Sequence, residues 1–232
     1  SPSHIDHLQF TLRNNEVLGI GVHVNSDRVD EGLDVVFTNN LGVKDVWVNS
    51  ESIGLKLNFY FESRHTATVT NNTIVVTDKS GIVASTQGYL LLQNNIVWTN
   101  TGQDIRIERE YNPIGPNPPG SAIFRNNMYN TLYGQEASGS FGTSHNNPLF
   151  IDAGAGNYRL QPASPGVNSG LQVPNQAATD LDGNARVIGS TIDRGAYEAA
   201  VDDTVPTTLL VTNTSNSGAG SLRQAIISAN AN

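Results

Sequence analysis

The stretch TATVTNNTIVVT, residues 66–77, shows most clearly how this chain folds. Two short runs of Thr, Val and Ile, residue types that favour β-strands, flank the pair Asn71–Asn72. Asn tolerates the left-handed backbone conformation that tight turns require. The stretch therefore predicts a strand, an Asn turn and a second strand.

The same pattern recurs along the chain. Asn pairs follow short strand-like runs at Asn14–Asn15, Asn39–Asn40, Asn71–Asn72, Asn94–Asn95, Asn126–Asn127 and, more weakly, Asn146–Asn147. Roughly three such pairs would arise by chance in so Asn-rich a chain, so the argument depends on the flanking strands. Successive pairs lie 25, 32, 23, 32 and 20 residues apart, which suits a repeat of three short strands with insertions in one turn.

This repeat predicts an all-β fold of the solenoid type: a right-handed single-stranded parallel β-helix, with one short amphipathic helix near the C-terminus. A side-chain amide both donates and accepts hydrogen bonds, so Asn side chains stacked from one turn to the next can form an internal ladder. The structural Asn residues predicted for these turns are Asn15, Asn40, Asn72, Asn95 and Asn127.

Composition limits the partners. Lys and Arg number 13 against 21 Asp and Glu, and the net charge of -8 would repel nucleic acid and anionic membranes. Cysteine is absent, so neither disulfides nor thiolate metal sites hold the fold. No apolar run approaches the ~20 residues that span a bilayer. We therefore expect no nucleic-acid partner and no membrane insertion.

Residues 147–198 resemble the closing segment of bacterial parallel β-helix proteins called choice-of-anchor Q domains. The blocks that carry the resemblance are, in order, Asn147–Phe150, Asn157–Leu160, Ser164–Pro165, Asp180–Asn184 and Gly195–Glu198. Ala185 and Arg194 depart from the family, which usually has a proline and an aliphatic residue there. The resemblance implies an exported bacterial protein that is extracellular or located at the cell surface.

The end of the chain resembles the opening of such a protein. In that family a strand and a short amphipathic helix cover the open first turn, and here Gly220 and Gln224 replace a Cys and a Glu of the helix motif. Two readings remain open: the chain is an excerpt of a longer polypeptide, or this cap covers the first turn of a neighbouring copy. The second reading predicts head-to-tail filaments held by Leu209, Val211, Leu222, Ala225 and Ile226.

Three regions follow from these patterns. Residues 1–145 are predicted to form the turns with Asn pairs, and residues 146–200 the closing turn and C-terminal segment. Residues 201–232 are predicted to be a linker with the strand and cap helix of a following or neighbouring module.

Exposed charges offer a weak ligand site. Alternation over residues 104–108 predicts that Ile105 and Ile107 face inward, whereas Asp104, Arg106 and Glu108 face outward. The two carboxylates are too far apart for retaining glycoside hydrolysis and are separated by a cation, so a solvated face is the favoured interpretation. We therefore assign no catalytic residue and take Tyr60, Arg106 and Glu108 as the residues best placed to contact a ligand.

One segment resembles half of a calcium loop. Asp180, Asp182 and Asn184 have the spacing of calcium ligands, but the bidentate Glu at the twelfth position of such loops is missing. A turn stabilised by the Asp side chain is the alternative. The pattern predicts no other cofactor.

These observations favour a non-catalytic structural or adhesive module of a secreted or cell-surface protein, which binds polysaccharide, partner proteins or copies of itself. The alternative is a fragment of a polysaccharide lyase or glycoside hydrolase of the parallel β-helix class.

Overall fold

The computed structural model describes residues 7–18, 22–26, 32–44, 54–59, 65–77, 79–86, 89–108, 121–134, 136–173, 176–200, 211–218 and 221–229. Its strands are β1 His7–Arg13, β2 Glu16–Leu18, β3 Val22–Ser26, β4 Gly32–Thr38, β5 Leu41–Lys44, β6 Leu55–Phe59, β7 Thr66–Thr70, β8 Thr73–Val76, β9 Ile82–Thr86, β10 Tyr89–Gln93, β11 Ile96–Thr99, β12 Ile105–Glu108, β13 Ser121–Arg125, β14 Leu132–Tyr133, β15 Phe150–Asp152 and β16 Asn157–Leu160. A 3-10 turn spans Ala153–Ala155, and the helix α1 spans Leu222–Ala229. The predicted all-β class with a short helix near the C-terminus is confirmed.

Fourteen of these strands form three parallel sheets. Sheet A contains β1, β4, β7, β10 and β13; sheet B contains β2, β5, β8 and β11; sheet C contains β3, β6, β9, β12 and β14. The chain visits the three sheets in the order A, B, C, so each strand up to β10 pairs with the strand three places further on. After β13, sheet B is reduced to bridges of Met128 with Ile96 and Ser144. The pairing is parallel throughout the three sheets, as the repeat predicted.

The core lies between the inner faces of the three sheets. Leu12, Phe37, Val69, Leu92 and Phe124 occupy one register position in five successive strands of sheet A. The last four of them are at most 2% exposed, and they pack with inward residues of the other sheets. The same alternation puts Leu55, Leu57, Ile82, Ala84, Ile105 and Ile107 of sheet C into this core.

The Asn pairs turn the chain from sheet A into sheet B. The first residue of each of the five pairs, Asn14, Asn39, Asn71, Asn94 and Asn126, has a left-handed backbone with φ between 50° and 57°. Non-glycine residues other than Asn and Asp seldom adopt this conformation, which explains why the position repeats as Asn.

The second residues of the pairs form a hydrogen-bonded ladder. The backbone N–H and the Nδ2 of Asn40 both donate to Oδ1 of Asn72, at 2.9 and 3.1 Å. The same two bonds join Asn15 to Asn40, Asn72 to Asn95, and Asn95 to Asn127. Asn40, Asn72, Asn95 and Asn127 are fully buried. Each buried amide is therefore paired, which removes the cost of burying it.

The sixth pair differs from the others. Asn147 is exposed, and its Oδ1 accepts a hydrogen bond from the N–H of Leu149 at 2.8 Å, which forms a local turn. The chain then makes the antiparallel hairpin β15–β16. Leu160 of this hairpin packs on Met128 and Ile96 at the last turn of sheet B.

Residues 166–173 and 176–198, which we call the strap, lie against the Asn turns. Asn126 donates to the carbonyl of Ser169 at 2.8 Å, and Asn39 donates to the carbonyl of Thr179 at 3.2 Å. The N–H of Gly195 donates to the carbonyl of Asn94 at 2.7 Å. The strap therefore contacts at least three of the five Asn turns, and each of these contacts uses a backbone group of the strap.

The strap also covers the outer face of sheet B. Ala196 and Tyr197 pack on the outward residues Leu41 and Val43 of β5, together with Tyr158 of the hairpin. At β5 and β8 sheet B is therefore covered on both faces, which explains why β8, Thr73–Val76, has apolar residues on both faces instead of alternating with polar ones. No helix among the described residues could cross a bilayer, since α1 has eight residues.

Candidate functional site

Arg106 and Glu108 lie together on the outer face of sheet C. Nε of Arg106 is 2.7 Å from Oε1 of Glu108, and both side chains are partly exposed. The guanidinium of Arg106 also lies over the ring of Tyr133, 5.3 Å from its centroid, and Tyr133 is 54% exposed. The sequence did not point to Tyr133 because β14 has two residues, too few to show alternation. Tyr60 lies outside the described residues.

The prediction that Asp104 faces outward is wrong. The residue is 1% exposed, and it precedes β12, which begins at Ile105. Its carboxylate accepts backbone N–H bonds from Thr99 at 2.6 Å, Asn130 at 2.6 Å and Thr131 at 2.9 Å. Asp104 therefore stabilises the turns on either side of it and is not available to a ligand.

The predicted calcium residues form a turn. Oδ1 of Asp180 accepts from the N–H of Asn184 at 2.8 Å, and its Oδ2 accepts from the N–H of Glu198 at 2.9 Å. Asp182 instead makes a two-bond ion pair with Arg159 of the hairpin. Asn184 donates through Nδ2 to Asp180 rather than presenting a ligand oxygen to a shared point. Across the described ranges, no group of three or more His, Cys, Asp or Glu residues is arranged to hold a metal.

A buried charged cluster holds the end of the strap. Nη1 of Arg186 is 3.3 Å from Oε1 of Glu198, and both side chains are at most 2% exposed. The N–H of Asp193 donates to Glu198 at 3.0 Å, while the carboxylate of Asp193 accepts from the N–H groups of Asn168 and Ala199 at 2.7 and 2.6 Å. Almost every charge in the cluster is therefore used to fix the course of the strap.

Burial controls the ionisation of this cluster. Removal from water raises the pKa of Glu198 to about 8, although the neighbouring Arg186 opposes the shift and the negative charge of Asp193 reinforces it. Burial likewise lowers the pKa of Arg186, against the pull of Glu198, Asp193 and Asp180. Neither Arg186 nor Asp193 was predicted from the sequence to be a functional residue. Asp193 could have been noticed because it is one of the charged residues that lie among the small and apolar residues of segment 192–198.

A groove of about 480 Å³ runs across the outer face of sheet A. We call it the A groove, and its lining combines hydroxyl, amide and guanidinium groups with aliphatic surface. The lining residues are Gln9, Thr11, Arg13, Val36, Thr38, Thr68, Thr70, Leu91, Gln93, Arg125 and Val173. The Oγ1 atoms of Thr38 and Thr70 are 2.9 Å apart on adjacent strands. None of the described residues that line it is acidic.

Two cations mark the ends of the A groove. Arg13, Thr38, Thr70, Gln93 and Arg125 occupy one register position in the five strands of sheet A. With strands ~4.8 Å apart, the four steps from Arg13 to Arg125 span about 19 Å between their backbones. This site was not apparent from the sequence because its residues come from successive strands that are 23 to 32 residues apart.

The two ends of the stacked strands differ. At the first turn Phe10 is 40% exposed, whereas Val35, its partner in β4, is 1% exposed. At the last turn Phe124 and Tyr129 are at most 1% exposed. Residues 137–144 cover that end through backbone bonds such as Tyr129 N–H to the carbonyl of Ser144 at 3.1 Å.

The predicted self-association residues are largely exposed. Val211 is 45%, Leu222 60% and Ile226 52% exposed, while Leu209 and the side chain of Ala225 lie outside the described residues. Ser221 caps α1, since its Oγ accepts from the N–H of Gln224 at 3.2 Å.

Compared with known proteins, the chain matches no protein-family model and is not significantly similar to any curated protein.

Proposed function

We propose that the chain is a right-handed parallel β-helix module with a non-catalytic structural or adhesive role in a secreted or cell-surface bacterial protein. The cyclic order of sheets A, B and C supports the β-helix, because each passage through the three sheets returns the chain beside its previous turn. Connections between parallel strands of one sheet are right-handed in nearly all proteins, which supports the hand. The resemblance of residues 147–198 to choice-of-anchor Q domains supports the export.

One observation carries the non-catalytic role: the buried acidic side chains are used to hold backbone. Asp104, Asp180 and Asp193 each accept at least two bonds from backbone N–H groups. General acid–base catalysis requires a titrating group within reach of substrate, and these three are at most 2% exposed. The calcium alternative is disfavoured for a separate reason, because the carboxylates of Asp180 and Asp182 are directed to different protein partners.

Polysaccharide is the ligand class that we propose for the faces of the module. On sheet C, the exposed ring of Tyr133 offers an apolar surface next to the hydrogen-bonding groups of Arg106 and Glu108. A ring face beside polar groups suits a sugar, whose own faces are apolar and whose edges carry hydroxyls.

Head-to-tail association is a second candidate role. The exposed apolar residues of the C-terminal unit, Val211, Leu222 and Ile226, would cover the exposed Phe10 at the first turn of another copy. Such a contact joins two different surfaces and can therefore propagate into a fibre.

Sedimentation velocity tests the association. The intact chain is expected to sediment faster with rising concentration, whereas a chain ending at Ala200 stays monomeric. A chain carrying Leu222→Asp and Ile226→Asp should behave as the shortened one. Identical monomers in all three samples would contradict self-association.

The alternative is a lyase or glycoside hydrolase fragment, in which Arg106 and Glu108 would be the reactive groups. Incubation with uronic-acid polymers, followed through the absorbance of unsaturated products and through reducing ends, separates the two functions. We expect no turnover. Turnover that Arg106→Gln or Glu108→Gln abolishes would establish an enzyme instead.

A further inference from the structure

We infer that the A groove binds an extended, negatively charged polysaccharide, lying along the stacking direction of the strands. This inference rests on the proposed adhesive role and names a site and a ligand for it. The groove crosses all five strands of sheet A, and its volume of about 480 Å³ is within the range of known ligand pockets. It lies on a different sheet from Arg106 and Glu108.

Side chains alone are available for recognition in the groove. Strands β4, β7 and β10 pair in parallel on both sides, so their backbone groups are already hydrogen-bonded. An incoming peptide therefore cannot add to the sheet as an extra strand, which is the usual way in which strands capture peptides. The remaining groups include the hydroxyls of Thr11 and Thr68 and the amide of Gln9, which match the hydroxyls of a sugar chain.

The spacing of these groups suits a polymer. Because the strands are in register, equivalent side chains recur about every 4.8 Å along the groove. Between them, Val36 and Leu91 provide apolar floor on which the apolar faces of sugar rings can pack. A short ligand would use only part of this surface, whereas a chain of several sugars would use it from Arg13 to Arg125.

Charge selects the kind of polysaccharide. Arg13 and Arg125 are the charged groups among the described lining residues, in a chain whose net charge is -8. Guanidinium groups bind carboxylates with two parallel hydrogen bonds, so uronic acids at the two ends of the bound segment meet matched partners. Arg125 lies over the ring of Phe141, 5.9 Å from its centroid, which holds its side chain at the end of the groove.

Binding to polygalacturonate tests the site. We expect the full chain to bind polygalacturonate in isothermal titration calorimetry, with affinity that falls as salt rises. Methyl-esterified polygalacturonate, which has the same sugars without the charge, should bind at least tenfold more weakly. The double variant Arg13→Gln and Arg125→Gln should lose at least tenfold in affinity, and Thr68→Trp, which fills the groove without changing charge, should lose a similar amount.

Lys79→Gln, which removes an exposed cation that does not line the A groove, is the matched control, and it should leave this affinity unchanged. All variants are on the surface, so their unfolding midpoints check that folding is intact. Absence of binding, or binding that the groove variants do not weaken, would overturn the inference. Equal affinity for poly-glutamate would overturn the assignment to polysaccharide, because it would show that the groove responds to charge alone. Turnover in the same samples would overturn the proposed non-catalytic role but not the site.

Discussion

Sheets A and B contain strands from the same turns of the chain, but their outer faces have different surroundings. The outer face of sheet B presents Leu41 and Val43 to the strap, which buries them. The outer face of sheet A presents Thr and Gln side chains to a groove. One face is therefore used to stabilise the molecule, and the other, which carries the A groove, is the face that we propose for binding. The Asn turns lie at the seam between them and contact both the core and the strap.

The largest loss of stability is expected from removing one amide of the Asn ladder, which lies where the chain passes from sheet A to sheet B. In Asn72→Ala the carbonyl of Phe37 and the N–H and Nδ2 of Asn40 lose their partner in the core. Buried groups left unpaired cost about 1–3 kcal/mol each, so the free energy of unfolding should fall by about 4 kcal/mol or more. Urea denaturation measures it. Asn15→Ala, at the half-buried end of the ladder, should lower the free energy of unfolding by about 1 kcal/mol. Equal losses for Asn72→Ala and Asn15→Ala would show that burial of the ladder does not affect its contribution to stability.

A close approach of the strap to sheet B predicts the next effect. Gly195 has φ of 90°, and a Cβ there would lie 2.5 Å from Oγ1 of Thr73 and 2.9 Å from Cδ1 of Ile96. Gly195→Ala should therefore lower the free energy of unfolding by about 2–4 kcal/mol, from backbone strain plus the clash.

Gly183→Ala is the matched control for that variant. Its φ of 88° imposes the same strain, but nothing lies within 4 Å of the added Cβ. The expected loss is about 1 kcal/mol. Similar values for the two variants would mean that the strap does not press on sheet B.

The pH dependence of the strap tests its buried cluster. The pKa of Glu198 in the folded protein, about 8, is above its ordinary value of 4.5. Its contribution to stability is therefore fully present below pH 4.5 and is lost as the pH rises towards and through 8. Between pH 5 and pH 8.5 the wild type should lose unfolding free energy relative to Glu198→Gln, whose amide does not titrate. Arg186, Asp193 and Asp180 remain in both proteins, and parallel pH curves would contradict the assignment to Glu198.

A single substitution made on both faces compares them directly. Val43→Thr buries a hydroxyl under the strap and should cost about 1–2 kcal/mol. Val36→Thr in the A groove should change stability by less than about 0.5 kcal/mol, because its neighbours are polar and open to water. Thermal unfolding of the two variants provides the comparison, and a larger loss for Val36→Thr would reverse the roles of the two faces.

Local chemistry was visible in the sequence, and long-range contacts were not. The Asn turns could be predicted from the sequence because the left-handed conformation favours Asn at the first position of each pair, while the second position needs an amide that both donates and accepts hydrogen bonds. The course of the strap could not be read, since contacts such as that between Gly195 and Asn94 join backbone groups and leave no residue pattern. The A groove was missed for a related reason: Arg13 and Arg125 become neighbours on one face only when the register of five strands is known.

The most direct test of the two faces uses the absence of cysteine from the chain. Single variants Val43→Cys under the strap and Thr68→Cys in the A groove each introduce one thiol, whose rate of reaction with a maleimide is measured in the folded protein. The rate of each folded variant is divided by its rate in urea, which corrects for the intrinsic reactivity of the thiol. The account predicts that the thiol at 43 reacts at least about 100-fold more slowly than the thiol at 68, because it needs local opening of the strap. Equal corrected rates at the two positions would contradict it.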